Sequence, residues 1–254
     1  MSDSQTIPRN GLVFSGYHVR AAGANGLLAQ FGTPPNRSSL RTIVPSMTLP
    51  ARETHFGFVD GGPLLIEAVA YGLELQIPSG FYFSLPGEVR VTSGHAFGII
   101  VSAANHTGFL TIGFLEWMGR LRYIDGCTDS LLVPPIKLGD PCLNLLFFPP
   151  QTDQTMHTHP SDRIGMILSG KGECLTEDQN GKPAEPIALA AGMLFIIHAG
   201  GRHKLRTQKH GMRVLAYHPD SDFGPTDLDH PMINRTMIDG VSANQITEIQ
   251  TPVG

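Results

Sequence analysis

The densest concentration of chemically capable side chains in these 254 residues is the run from Gln154 to Arg163, which carries His157 and His159 and ends on Asp162 and Arg163. On an extended strand, residues two apart project to the same face, so the two imidazoles could grip one metal ion together. A third candidate, His203, follows Gly200, Gly201 and Arg202 at the mouth of a later turn. Imidazole is the usual ligand of Fe, Mn, Ni, Cu or Zn, and a set of three leaves coordination positions open for a substrate. Arginine stays protonated and cannot coordinate, so Arg163 belongs beside such an ion and not on it.

These residues need a rigid frame, and the sequence predicts one made of strands. At 41% hydrophobic and 16% charged, with a formal net charge of -4, the composition is that of an ordinary globular chain. The 29 glycines and 20 prolines are scattered between short apolar runs, which excludes a helical bundle. Four- to seven-residue segments bounded by turn residues recur from Leu64 to Phe114 and again from Leu143 to Tyr217. This rhythm predicts an all-β chain of two small barrels or sandwiches. Its divisions are an irregular arm over 1–45, a first barrel over 46–125 and a second barrel with its tail over 126–254, with the stretch Tyr123 to Pro135 as the crossing. A weak repeat supports duplication: Gly80 and Gly192 each precede a largely apolar strand and a turn.

Several function classes drop out. No basic cluster is present, which argues against nucleic acid as partner. No apolar run approaches the ~18 residues of a membrane span, and the polar first residues carry no secretory pattern. Cys127, Cys142 and Cys174 are odd in number and far apart, which suits a reducing cytoplasm and plain thiols. There is no Walker motif, no GxSxG and no dinucleotide fingerprint. In the first half His55 and His95 are isolated, so that half is expected to be scaffold. The acidic run Asp220 to Arg235 lacks calcium-loop spacing and reads as a solvated loop or a strap.

The second half resembles the cupin superfamily, whose two motifs, G(X)5HXH(X)3,4E(X)6G and G(X)5PXG(X)2H(X)3N, lie on hairpins of a small antiparallel barrel. His157, His159 and Gly170 match the first, and Gly192, Gly200 and His203 match the second. The resemblance covers Leu138 to His218. It implies tandem cupin barrels, the first without a metal site, and a ligand set of His157, His159 and His203. Four positions depart from the motifs: Gln151 replaces the first glycine, His198 the proline, Thr207 the asparagine, and Arg163 the usual glutamate ligand. Asp162 has the wrong parity to replace that glutamate.

Three neutral imidazoles leave a divalent ion its full charge, and an inward Arg163 would add to the pull on an anionic ligand. Three-histidine cupins include Fe(II) dioxygenases of aromatic acids, thiols and diketones, so the resemblance implies Fe foremost, with Mn, Ni or Zn as alternatives, and Arg163 or Arg202 orienting an acid group of a small acidic substrate. The texture from His157 to Gly170 is also similar to sugar-acid isomerases and lyases, in which a base moves a proton. There Tyr217 or His218, at the end of an expected inward strand, would act. A ligand-binding barrel without turnover, with Arg163 paired to Asp153 or Asp162, is the third reading. The resemblance leaves monomer and homodimer both open.

Overall fold

The structure, a computed structural model, describes residues 12–15, 24–32, 37–177, 180–221 and 230–252. The chain divides into two compact units, one spanning His18–Trp117 and the other made of Met1–Tyr17 with Met118–Gly254. No helix among the described residues is long and apolar enough to cross a membrane.

Chain order begins with β1 (Leu12–Ser15), a strand of the second-named unit. The His18–Trp117 unit then follows with β2 (Leu27–Phe31), β3 (Ser38–Thr42), β4 (Ser46–Leu49), β5 (Glu53–Asp60) and β6 (Leu64–Ala68). It continues through β7 (Leu73–Ile77), β8 (Phe81–Pro86), β9 (Val89–Ser93), β10 (Phe97–Ala104) and β11 (Thr111–Phe114). Two antiparallel sheets result, in the orders β11-β8-β5-β10-β3-β2 and β4-β9-β6-β7. Period-two alternation explains the second sheet: Leu64, Ile66 and Ala68 of β6 and Val89, Val91 and Ser93 of β9 are buried, while the residues between them face out. Leu49, Phe83, Leu85 and Ile100 fill the interior between the sheets.

The other unit comprises β12 (Leu121–Arg122), β13 (Thr128–Val133), β14 (Cys142–Phe148), β15 (Arg163–Thr176), β16 (Ile187–Ala190), β17 (Leu194–Ile197), β18 (His203–Arg206) and β19 (Met212–His218). Its sheet runs β1-β17-β15-β19-β14-β13-β12, and the far half of the long β15 pairs with β16 and β18. The same neighbours recur in both units. β5 is flanked by β8 and β10 as β15 is by β17 and β19, so the strands after Gly80 and Gly192 hold equivalent places. On β14 and β19 the even-numbered residues face inward, with Leu146 opposite Val214 and Asn144 opposite Ala216. A short helix α1 (Pro231–Asn234) and the hairpin β20 (Met237–Ile238) and β21 (Val241–Ser242) follow, with Met232, Ile233 and Ala243 in this unit's core.

The structure corrects the expected divisions in two places. The segment 1–45, read as an irregular arm, contributes β1 to one unit and β2 and β3 to the other. Its glycines and asparagines masked these strands, which are held by pairing with distant partners and not by local pattern. The expected crossing from Tyr123 to Pro135 contains β13, and Tyr123, Ile124 and Cys127 lie in the core of the second unit. Of the acidic run, residues 222–229 lie outside the described residues, while His230 and Met232 are buried.

Two motif positions show why backbone geometry selects their residues. Gly170 has φ +84°, and a Cβ there would lie 2.0 Å from the Gly211 carbonyl oxygen. Gln151, where the motif has glycine, has φ +62°, a left-handed conformation that a side chain disfavours. Gln151→Gly should therefore stabilise the chain by about 0.5–1 kcal/mol in urea unfolding; a destabilised variant would show that the glutamine side chain compensates the strain.

Candidate functional site

His157, His159 and His203 are brought together inside the second unit, all at most 4% exposed, with potential ligand atoms within 4.8 Å of one another. Backbone pairing holds them there. His157 and His203 bridge in both directions, each N–H donating to the other's carbonyl at 2.9 Å, and Gly200 N donates to His159 O at 2.8 Å. Spacing by two, read on the sequence, thus operates within a short segment that pairs with the start of β18. The ring centroids lie 4.5 Å apart for His157 and His203, 5.0 Å for His157 and His159, and 5.2 Å for His159 and His203.

Each ring is oriented by a backbone carbonyl. Nδ1 of His157 donates to Thr155 O at 2.8 Å, that of His159 to Arg235 O at 2.9 Å, and that of His203 to Gly201 O at 2.9 Å. A carbonyl can only accept, so in the neutral ring the proton sits on Nδ1 and the lone pair on Nε2. This is the outer-shell arrangement that prepares histidine for a metal ion. Burial, then His203 across the cluster, lowers the pKa of His157 to about 3. Burial, with Arg163 nearby, lowers His203 to about 4 and holds His159 well below the usual imidazole range. All three are therefore uncharged at neutral pH, and the donor set fits a divalent transition-metal ion.

The three rings open into a cavity of about 40 Å³. Since one water needs roughly 10–15 Å³ on this measure, the space holds about three. Leu146, Phe148, Phe195, Ile197 and Met232 supply an apolar wall, and Gln154, Tyr123 and Arg163 the remaining polar groups. Tyr123 and Gln154 were not among the residues singled out by sequence. Tyr123 lies in the segment read as a crossing; its hydroxyl meets Thr236 Oγ1 at 2.9 Å, and Thr236 in turn donates to Met232 O.

Arg163 lies in the same cavity and is 3% exposed. Its Nη1 donates to Ser161 O at 3.0 Å, Ser161 Oγ at 2.9 Å and Asp162 O at 3.0 Å, whereas Nε and Nη2 are buried without an acceptor. Neither expected carboxylate pairs with it. Asp153 binds Lys204 at 2.7 Å, and the Asp162 carboxylate accepts from Ala199 N at 2.9 Å. Burial lowers the guanidinium pKa only to about 10, so the charge persists at neutral pH. An uncompensated buried charge of this kind costs several kcal/mol.

Two other sequence candidates are corrected. Arg202, expected to orient an acid group, is 35% exposed in its side chain and paired with Glu177 at 3.1 Å and Asp239 at 3.2 Å, outside the cavity. Tyr217, expected as an acid or base, is buried but has the opposite parity to Val214 and Ala216, which line the cavity. Inward parity falls instead on His218, which is completely buried next to Arg163 in the strand register but does not itself line the cavity. Thr207, in place of the motif's asparagine, ties two loops by accepting from Thr152 N at 3.0 Å and donating to Pro149 O.

In the His18–Trp117 unit, His55 is completely buried, with Nδ1 at 2.8 Å from Ser102 Oγ and Nε2 at 2.9 Å from Gly87 O. The pair at the end of its β4–β9 ladder, Leu49 opposite Val89, is apolar and fully buried. Among the described residues, the group around His157 is the one set of three with metal-holding geometry.

The depressed imidazole pKa values set a pH dependence. Because the ordinary unfolded value is about 6.5, the unfolded chain takes up protons that the folded chain refuses. The stability this confers is fully present above about pH 6.5 and falls as pH drops toward the folded values. Urea titrations of metal-free protein should show a loss of at least ~2 kcal/mol between pH 6 and pH 5. A flat profile would mean that the rings are solvated.

Residues 144–217 match the family model described as Cupin domain. No curated protein sequence matches the chain. Among solved structures, protein YlbA from E. coli is similar with a TM-score of 0.59 at 15% identity, over 88% of this chain and 97% of that one. Salicylate 1,2-dioxygenase from Pseudaminobacter salicylatoxidans has a TM-score of 0.56 at 10% identity, over 86% of this chain and 87% of that one. Oxalate decarboxylase from Bacillus subtilis, described with Mn(II) centres, has a TM-score of 0.51 at 10% identity, over 84% of this chain and 74% of that one. At these identities the likeness is one of fold: residues 144–217 form a cupin domain, and the chain as a whole has the all-β architecture of tandem cupin barrels.

Proposed function

We propose that the chain is a metal-dependent enzyme acting on a small anionic organic substrate, and that its reaction is an Fe(II)-dependent dioxygenation. The observation that carries this reading is the pairing of three neutral, carbonyl-oriented imidazoles with a buried arginine that has donors to spare. When bound by His157, His159 and His203, a redox-active divalent ion would supply Lewis acidity and access to O2 chemistry. The likeness to a salicylate dioxygenase fits this reading but rests on fold.

The chain's own residues then have distinct tasks. The three imidazoles add no negative charge, so the site favours an anionic ligand more strongly than one containing a carboxylate would. Arg163 binds and orients the substrate's acid group through Nε and Nη2. Phe148, Phe195 and Ile197 exclude water from the reacting atoms and thereby strengthen the electrostatic contacts. A cavity of about 40 Å³ restricts the substrate to a few heavy atoms unless the barrel opens to admit more. Of the two residues expected to move a proton in an isomerase or lyase, Tyr217 lies on the other face and His218 alone keeps inward parity.

Elemental analysis of purified protein should find about one transition-metal ion per chain, and His157→Ala should reduce it to background. An O2-uptake screen of small hydroxy acids, diketones and aromatic acids should then identify turnover that consumes O2. Turnover without O2 consumption would establish the lyase or isomerase reading, and a protein without stoichiometric metal would remove both.

A further inference from the structure

The two units treat one structural position in opposite ways. In the His18–Trp117 unit, His55 on β5 lies opposite Ser102 on β10 and opposite Leu85 on β8. Its ring is satisfied on both sides, by Ser102 Oγ at 2.8 Å and by the carbonyls of Gly87 at 2.9 Å and Pro50 at 3.1 Å. In the other unit the equivalent strands are β15, β19 and β17. Arg163 lies opposite Ile197, and one step beyond the Ile164 and Tyr217 pair the same register sets it opposite His218.

Here the facing polar groups are not satisfied. His218 is 0% exposed, and neither of its ring nitrogens has a hydrogen-bond partner. Nε and Nη2 of Arg163 are equally buried and unpartnered. One barrel thus closes this position with a donor and acceptor that match, while the other leaves two guanidinium nitrogens and both imidazole nitrogens without a partner. Nearby carboxylates do not fill the role. Asp220 is engaged by Arg235 at 2.9 Å, and Asp129 accepts from Asn144 Nδ2 at 2.9 Å. Asp129 also lies 3.6 Å from the His230 ring, and burial raises its pKa to about 8.

We propose that Arg163 and His218 together form a buried carboxylate-binding subsite beside the three histidines. It deepens the reading of a small anionic substrate, on which it rests, by making His218 a second determinant of which anion is accepted. A planar oxyanion is the ligand chemistry that fits: two guanidinium N–H groups and one imidazole N–H can be shared between two oxygens. A neutral amide of the same size lacks the negative charge that the guanidinium would balance and is held less tightly.

Isothermal titration calorimetry with formate as probe and formamide as its uncharged counterpart tests this on the full chain, both metal-loaded and after chelation. Formate should bind saturably in both states and at least tenfold more tightly than formamide. His218→Leu should weaken formate at least tenfold and Arg163→Met at least a hundredfold, and both should raise the melting temperature of the ligand-free protein by removing unpaired buried polar groups. In the unsubstituted protein, formate should shift the 15N resonances of the His218 ring, a readout that needs no variant to fold. Equal affinity for formate and formamide, an unchanged formate affinity in His218→Leu, or unmoved His218 resonances would overturn the subsite. Formate binding that survives chelation in a protein found to hold no stoichiometric metal would count against the metal-dependent reading alone and leave the subsite standing.

Discussion

Three hydrogen bonds from imidazole Nδ1 atoms to backbone carbonyls are the constraint on which the rest of the second barrel depends. They cap one nitrogen of each ring, fix its tautomer and turn the other nitrogen toward a common centre. The three acceptors come from separate parts of the chain: Thr155 in the loop before the histidines, Gly201 in the turn before β18, and Arg235 in the tail. The tail therefore serves as more than a cover. Thr158 and Met237 exchange backbone hydrogen bonds at 2.9 Å, which holds the Arg235 carbonyl where His159 needs it. Barrel and tail must fold together for the third ring to be oriented.

Charge distinguishes this site from the pattern it resembles. A glutamate at position 163 would place a negative group among the imidazoles, whereas arginine there adds to burial in depressing the proton affinity of all three rings and holds a net positive charge in a water-poor cavity. Such a site is costly to fold and is best explained by what it binds. The other barrel keeps the strand order and fills its interior with Leu49, Phe83 and Val89.

Much of this was legible in the sequence because it is written locally. Two histidines separated by one residue, a glycine at the end of the following strand and a third histidine after a glycine pair are short-range signals, as is the strand and turn rhythm. What failed to show was set by long-range pairing. Nothing near Leu12 or Leu27 announces a strand, since their partners, Ile197 and Arg41, come from elsewhere in the chain. Tyr217 and Arg202 were misplaced by a single residue of parity or position. On β19 the inward series runs Val214, Ala216, His218, which places His218 inward and Tyr217 outward, and Arg202 precedes its strand and turns to Glu177. Tyr123 gave no signal because its role depends on Thr236, 113 residues away.

The central claim is that these three imidazoles, each through the nitrogen left free by its carbonyl, hold one divalent transition-metal ion. X-ray absorption spectroscopy of protein carrying one ion per chain tests it most directly. The account predicts a first shell with three imidazole nitrogens at ~2.0–2.2 Å and the remaining positions filled by light, exchangeable ligands. A shell dominated by oxygen or sulfur, or containing fewer than two imidazoles, would contradict it.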